Sequence, residues 1–172
     1  MAKSNEKITF KGAPIPVSGR EVHEGDSAPD FRLTGMDLND VDLNSFKGKT
    51  VVIAAVPSLD TGVCDTEIKR FNTEMEKLSK DVLVLTVSRD LPFAQKRWCG
   101  TEGVNNVTVA SDYKYRVFGK AFGCELETLG LLTRAVFVVD KQGKVRYVEY
   151  VSEVTQEPDY NAVLNKVREL AA

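Results

Sequence analysis

Two runs of β-rich apolar residues, TVVIAAV at 50–56 and VLVLTVS at 82–88, show no polar alternation and have the length of strands. Continuous runs of this kind predict strands buried on both faces. Between them Ile68, Phe71, Met75 and Leu78 recur at spacings of three, four and three, which is one face of a helix. A strand, a helix and a strand in this order predict a parallel βαβ unit.

The flanking segments have weaker patterns. ITFKGAPIPV (8–17) predicts a short hairpin turning at Lys11-Gly12, and its prolines at 14 and 16 place it at an edge. A short extended segment follows near Phe31 to Leu33. After the second buried run, Asp90 stands where an N-cap would start a short helix, LPFAQKRWC, with Gly100 and Gly103 available to end it. NVTVAS (106–111) predicts a further strand, and YKYRVFGKAFG a short helix closed by glycine. RAVFVVD-KQG-KVRYVEYV (134–151) is a hairpin pattern. A last helix from about Pro158 carries Tyr160, Val163, Leu164, Val167 and Leu170 on one face. Periodicity gives an α/β fold with a mixed sheet. The element order resembles the thioredoxin core, with an insertion between its second and third strands. The expectation is a thioredoxin-like fold, a mixed central sheet flanked by helices, in one domain over 1–172 with residues 1–18 as an N-terminal hairpin extension.

Composition narrows the function classes. Apolar residues make up 42% and charged residues 28% of 172, the mix of a soluble globular chain. A net charge of -2 leaves no basic surplus for nucleic acid or an anionic membrane. No apolar run reaches the length of about 18 residues that spans a bilayer. The first ten residues, MAKSNEKITF, carry charge and no apolar signal region, which predicts a cytoplasmic protein. Three scattered cysteines, Cys64, Cys99 and Cys124, are neither a secreted disulfide framework nor a four-ligand zinc site. No metal or cofactor is expected.

The stretch PSLDTGVC (57–64) follows the first buried strand and opens the helix. Ligands of α/β sheets collect beyond the carboxyl ends of parallel strands, where this stretch lies. Pro57 ends strand pairing. Thr61 is a natural N-cap, which puts Cys64 in the first helical turn. Unpaired N–H groups and the positive end of the helix dipole favour an anion there, and a thiolate is one. The Thr61 hydroxyl can donate to one group while accepting from another. Cysteine is also among the most buried residue types, so a small packing side chain fits the same position.

Pro57-x-x-x-Thr61-x-x-Cys64 matches the active-site motif of the peroxiredoxins. GDSAPDF, DLPFAQKRWCG, TRAVFVVD and TQEPDY around it resemble the bacterial thiol peroxidase branch of that family, atypical two-cysteine enzymes, along nearly the whole chain. The resemblance implies a peroxidase acting on hydrogen peroxide and organic hydroperoxides. Cys64 would be the peroxidatic cysteine, and Cys99 the resolving cysteine that closes an intrachain disulfide. Thioredoxin would be the reductant, and the enzyme would be a homodimer. Thiolate to sulfenic acid to disulfide is the reversible branch of thiol oxidation.

Arg134 also has a geometric argument. In a thioredoxin-like core the strand from 134 runs antiparallel to 50–56, so its first residue lies beside Cys64. A guanidinium there would hold a thiolate and a peroxide oxygen. The family's active-site arginine has this place. Read alone, Arg134 also fits a surface residue opening a strand, and Cys99 a core cysteine beside Trp98. Cys124 reads as packing and His23 as exposed. A cysteine hydrolase needs a histidine base, and His23 is 41 residues from Cys64. A dithiol reductase needs Cys-x-x-Cys, which is absent, and Thr133 stands where thioredoxins carry a cis-proline. The competing function is a redox sensor or relay that passes a disulfide to a partner protein after oxidation of Cys64.

Overall fold

A computed structural model describes residues 5–171; Met1–Ser4, part of the N-terminal segment read above for a signal region, lie outside the described residues. The chain opens with a small hairpin, β1 (Thr9–Phe10) and β2 (Ala13–Pro14). Its turn residues Lys11 and Gly12 have φ of 51° and 80°. Two successive positive φ values suit the right-handed twist of paired strands, and glycine adopts one without strain. Then come β3 (Arg32–Gly35), β4 (Asp40–Asp42), a 3-10 turn over Leu43–Phe46, and β5 (Thr50–Ala55). The crossover helix α1 (Gly62–Met75) leads to β6 (Val82–Ser88). The next elements are α2 (Pro92–Glu102), β7 (Thr108–Ser111), α3 (Phe118–Ala121), β8 (Glu125–Leu126) and β9 (Leu131–Leu132). The hairpin β10 (Ala135–Val139) and β11 (Val145–Tyr150), and the helix α4 (Tyr160–Ala171), close the fold.

Seven of these strands form one mixed sheet in the order β11-β10-β5-β6-β7-β3-β4. β5, β6 and β7 are parallel, and β10 runs antiparallel to β5 with Ala135 opposite Ala55. The pleat divides the core into two layers. Val52, Ala54 and Val56 face α1, α2 and α4, together with Val136 and Val138. Val51, Ile53, Ala55, Ala135, Phe137 and Val139 face the other way, onto Phe118, Phe122, Phe31 and Ile8. The uniform burial of β5 follows from coverage on both faces and accounts for its unbroken apolar run.

Several sequence expectations shift. Leu78 packs into the α1 layer from the turn beyond the helix, which ends at Met75. α2 runs through Gly100 and stops at Gly103, whose φ of 68° is left-handed. Of the stretch 113–123 only Phe118–Ala121 is helical; Arg116 at φ 54° breaks the earlier part. Asp90 is not the N-cap of α2. That place belongs to Leu91, which has no side-chain cap bond. Pro92 at the helix start holds the preceding residue extended, at ψ 147°, so Asp90 falls one residue too early to cap.

Candidate active site

β5 stops where Pro57 removes a backbone donor; the last strand-type bond runs from Val56 N–H to Val87 O at 2.9 Å. The chain turns through Ser58–Asp60, and Thr61 caps α1. Its hydroxyl accepts the Cys64 N–H at 3.3 Å and donates to Ser58 O at 3.3 Å. Cys64 therefore sits in the first turn, at 0% exposure. The helix start supplies oriented N–H groups on one side of it.

Arg134 approaches from the other side. It directly precedes β10, and the antiparallel register with β5 brings it to the carboxyl end of that strand. Its side chain is 1% exposed, so the surface reading fails. Nη2 donates to Cys64 Sγ at 3.2 Å, Nη1 to Glu67 Oε2 at 2.5 Å, and Nε to Val154 O at 2.9 Å. One planar fork is thus held at three points, with a face of positive charge on the sulfur. Burial works against that charge, and Glu67 and Cys64 outweigh it, holding the guanidinium above its ordinary value.

Glu67 was missed in the sequence. It is 0% exposed, and its Oε1 has no hydrogen-bond partner among the described residues. The signal was present: Glu67 follows Cys64 by three and precedes Phe71 by four, which puts a carboxyl on the buried stripe of α1. Burial pushes this carboxyl up from 4.5 to about 7, against the pull of Arg134. A raised carboxyl contributes stability that is whole below about pH 4.5 and is lost as pH rises through about 7. The interval from 4.5 to 7 corresponds to about 3 kcal/mol. Denaturant unfolding of the reduced protein at pH 5 and pH 8 should therefore show a loss up to about this size in the wild type and a markedly smaller one in Glu67→Gln. Equal losses in the two would remove Glu67 as the titrating group.

Pro57, Thr61 and Arg134 line a cavity of about 760 Å³. Phe10 of the N-terminal hairpin, Leu126, Leu129 and Leu131 around the β8–β9 turn, and Val154 give it a largely apolar wall, and Lys11, Gln156 and Glu157 also border it. The β8–β9 wall is anchored by Arg89, whose side chain is 5% exposed and donates to Glu125 Oε1 at 2.6 Å while also pairing with Asp112.

The other thiols lie elsewhere. Cys99, on α2, shares the α1 layer with Cys64 and is 6% exposed; burial pushes its thiol up. Cys124 is in the opposite layer, across the sheet, where its Sγ donates to Phe122 O at 3.4 Å and burial pushes its thiol well up. All three cysteines are free. His23 is 64% exposed. Thr133 is buried, with its hydroxyl unpartnered among the described residues. Among the described residues no helix is long and apolar enough to cross a membrane, and no three His, Cys, Asp or Glu side chains are grouped to hold a metal ion.

The Redoxin family model matches residues 23–164. The thiol peroxidase of Bacillus subtilis (strain 168) is 49% identical over 164 residues, covering 95% of this chain and 98% of the relative. That of Staphylococcus aureus (strain MRSA252) is 51% identical over 158 residues, covering 92% and 95%. The crystal structure of a peroxiredoxin-like protein from Aquifex aeolicus superposes with a TM-score of 0.88 at 47% identity, covering 95% of this chain and 96% of that one. With a cysteine and an arginine in contact at the end of β5, and with identity near one half along almost all of each chain, this chain belongs to the redoxin family, among its thiol peroxidases.

Proposed function

We propose that this thiol-dependent peroxidase reduces hydroperoxides at Cys64 and is recycled through an intrachain disulfide between Cys64 and Cys99. The observation that carries the reading is the 3.2 Å contact from Arg134 Nη2 to Cys64 Sγ. The thiolate attacks the terminal peroxide oxygen, the O–O bond breaks, and Cys64 becomes a sulfenic acid while the departing alkoxide or hydroxide takes up the proton that the thiol released on ionising and leaves as alcohol or water. Arg134 faces the charge that develops on the oxygens. Pro57 and Thr61 shape the approach and hold the first turn. Cys99 then condenses with the sulfenic acid, releasing water and closing the disulfide. The largely apolar wall of the cavity suits organic hydroperoxides, with hydrogen peroxide as the small alternative.

Geometry favours Cys99 over Cys124 as the partner, because Cys99 lies in the same layer as Cys64 and Cys124 lies across the sheet. A disulfide needs Cα atoms about 4.4–6.8 Å apart. Cys64 and Cys99 stand on separate helices, and part of each is expected to unwind before the bond closes. Thioredoxin is the proposed reductant, in a reducing compartment such as the cytoplasm, where three free thiols persist. Family likeness supports a homodimer; a monomer mass by light scattering at micromolar concentrations would contradict that.

The test is hydroperoxide consumption coupled to thioredoxin and its reductase. The wild type should turn over many times, and a single stoichiometric oxidation would point to a relay instead. Cys99→Ser should react once, stall as sulfenic acid and overoxidise, whereas Cys124→Ser should keep most of its turnover. Loss of turnover in Cys124→Ser with retention in Cys99→Ser would reverse the assignment.

A further inference from the structure

Asp90 stands one residue ahead of the N-cap of α2 and reaches across to the loop before Cys64. Its Oδ2 accepts the Leu59 N–H at 2.8 Å, and its Oδ1 accepts the Ser58 hydroxyl at 2.8 Å. Oδ2 also accepts the Ser88 hydroxyl at 2.7 Å. Ser88 Oγ in turn accepts Gln95 Nε2 at 3.0 Å, and Gln95 is a fully buried residue of α2 that also donates to Ala110 O at 3.1 Å. The Asp90 carbonyl is held by the Ser111 hydroxyl, at the end of β7. Gln95 and Cys99 are four residues apart, on one face of α2. A hydrogen-bond chain thus runs from the helix face that carries Cys99, through Ser88 and Asp90, to the loop that ends in the Thr61 cap.

We propose that Asp90 is a positioning residue that latches the Cys64 loop to the α2 segment and sets how readily the two unwind together. This rests on the Cys64–Cys99 reading above. While the latch is closed, the loop presents Thr61 and Cys64 in the geometry that meets peroxide. After the first oxidation two reactions compete. In one, Cys64–SOH and Cys99–SH give the disulfide and water, which requires the latch to open. In the other, Cys64–SOH meets a second hydroperoxide and gives the sulfinic acid and an alcohol, which the closed geometry allows. Hydrogen bonds to a carboxylate are stronger than neutral ones, so the two that cross from Asp90 to Ser58 and Leu59 weight the balance toward the closed state.

The test measures sulfinic acid at Cys64 by mass spectrometry during turnover with dithiothreitol and increasing cumene hydroperoxide. Hydrogen exchange of the Leu59 amide is followed in the reduced protein. Asp90→Ala should raise the hydroperoxide concentration for half-overoxidation about tenfold, the weight of one hydrogen bond to a charged acceptor, and speed Leu59 exchange by at least as much. Asp90→Asn keeps an acceptor for Leu59 N–H and should stay within about threefold of wild type. Should Asp90→Ala fail to fold, Ser58→Ala removes one of the two crossing bonds and should move the concentration in the same direction by about threefold. An unchanged concentration in the folded variant overturns the latch. Mapping the wild-type disulfide alongside separates the two claims: no Cys64–Cys99 bond overturns the disulfide reading and the latch with it, whereas that bond with unchanged overoxidation overturns the latch alone.

Discussion

Cys64→Ser is expected to bring hydroperoxide turnover to background while leaving the fold intact. The side chain is fully buried, and serine differs from cysteine by one atom, so packing of the α1 layer changes little. The chemistry does not survive the exchange. A serine hydroxyl does not ionise near neutral pH, and its oxygen has no sulfenic acid to form. Neither remaining thiol replaces it: burial holds both Cys99 and Cys124 above the ordinary thiol value, and neither has a guanidinium on its sulfur among the described contacts. Coupled turnover above about a tenth of wild type would remove Cys64 from the role proposed for it.

The second large effect belongs to Arg134. A preorganised donor aimed at a developing oxyanion is worth about 3–4 kcal/mol, or roughly 100- to 1000-fold in rate. Arg134→Met should lose that much in the peroxide step, read as the second-order rate of Cys64 oxidation by stopped flow. Arg134→Met also strands Glu67 as a buried acid without its partner, and breaking a buried pair costs about 3–5 kcal/mol of stability. The rate must therefore be read on protein shown to be folded. Pairing Arg134→Met with Glu67→Gln separates the two losses, since the neutral amide removes the stranded carboxyl and restores stability without restoring the rate. Arg134→Lys keeps a charge but not the fork that serves Cys64, Glu67 and Val154 O together, so it should fall between wild type and Met. A near-normal peroxide rate in Arg134→Met would assign the charge on the sulfur to another cation.

What could be read from the sequence was what local chemistry dictates. The unbroken runs of β5 and β6, the spacing along α1 and α4, and the turn residues Lys11-Gly12 each specify their element with little help from elsewhere. The position of Arg134 followed once β10 was set antiparallel to β5, because register alone brings the residue just before β10 to Cys64. Three kinds of feature were not legible. β4, β8 and β9 are two or three residues long, and they pair because the rest of the fold holds them close. Asp90 had the residue type of a cap and the wrong offset; Pro92 decided where α2 begins, and the carboxylate found its donors 31 and 32 residues earlier. Glu67 lay on the apolar stripe of α1 and reads as an interruption until Arg134 is seen against it. The partners of the short strands, of the Asp90 carboxylate and of Glu67 come from other elements, which periodicity does not report.

The central claim is that Cys64 is oxidised by peroxide and resolved by Cys99 within one chain. Its most direct test is peptide mapping by mass spectrometry of the reduced protein treated with one equivalent of hydroperoxide and then alkylated without reduction. The account predicts a single disulfide joining the Cys64 and Cys99 peptides, with Cys124 recovered as the alkylated thiol. A bridge from Cys64 to Cys124, or a Cys64 peptide that stays unoxidised while peroxide is consumed, would contradict it.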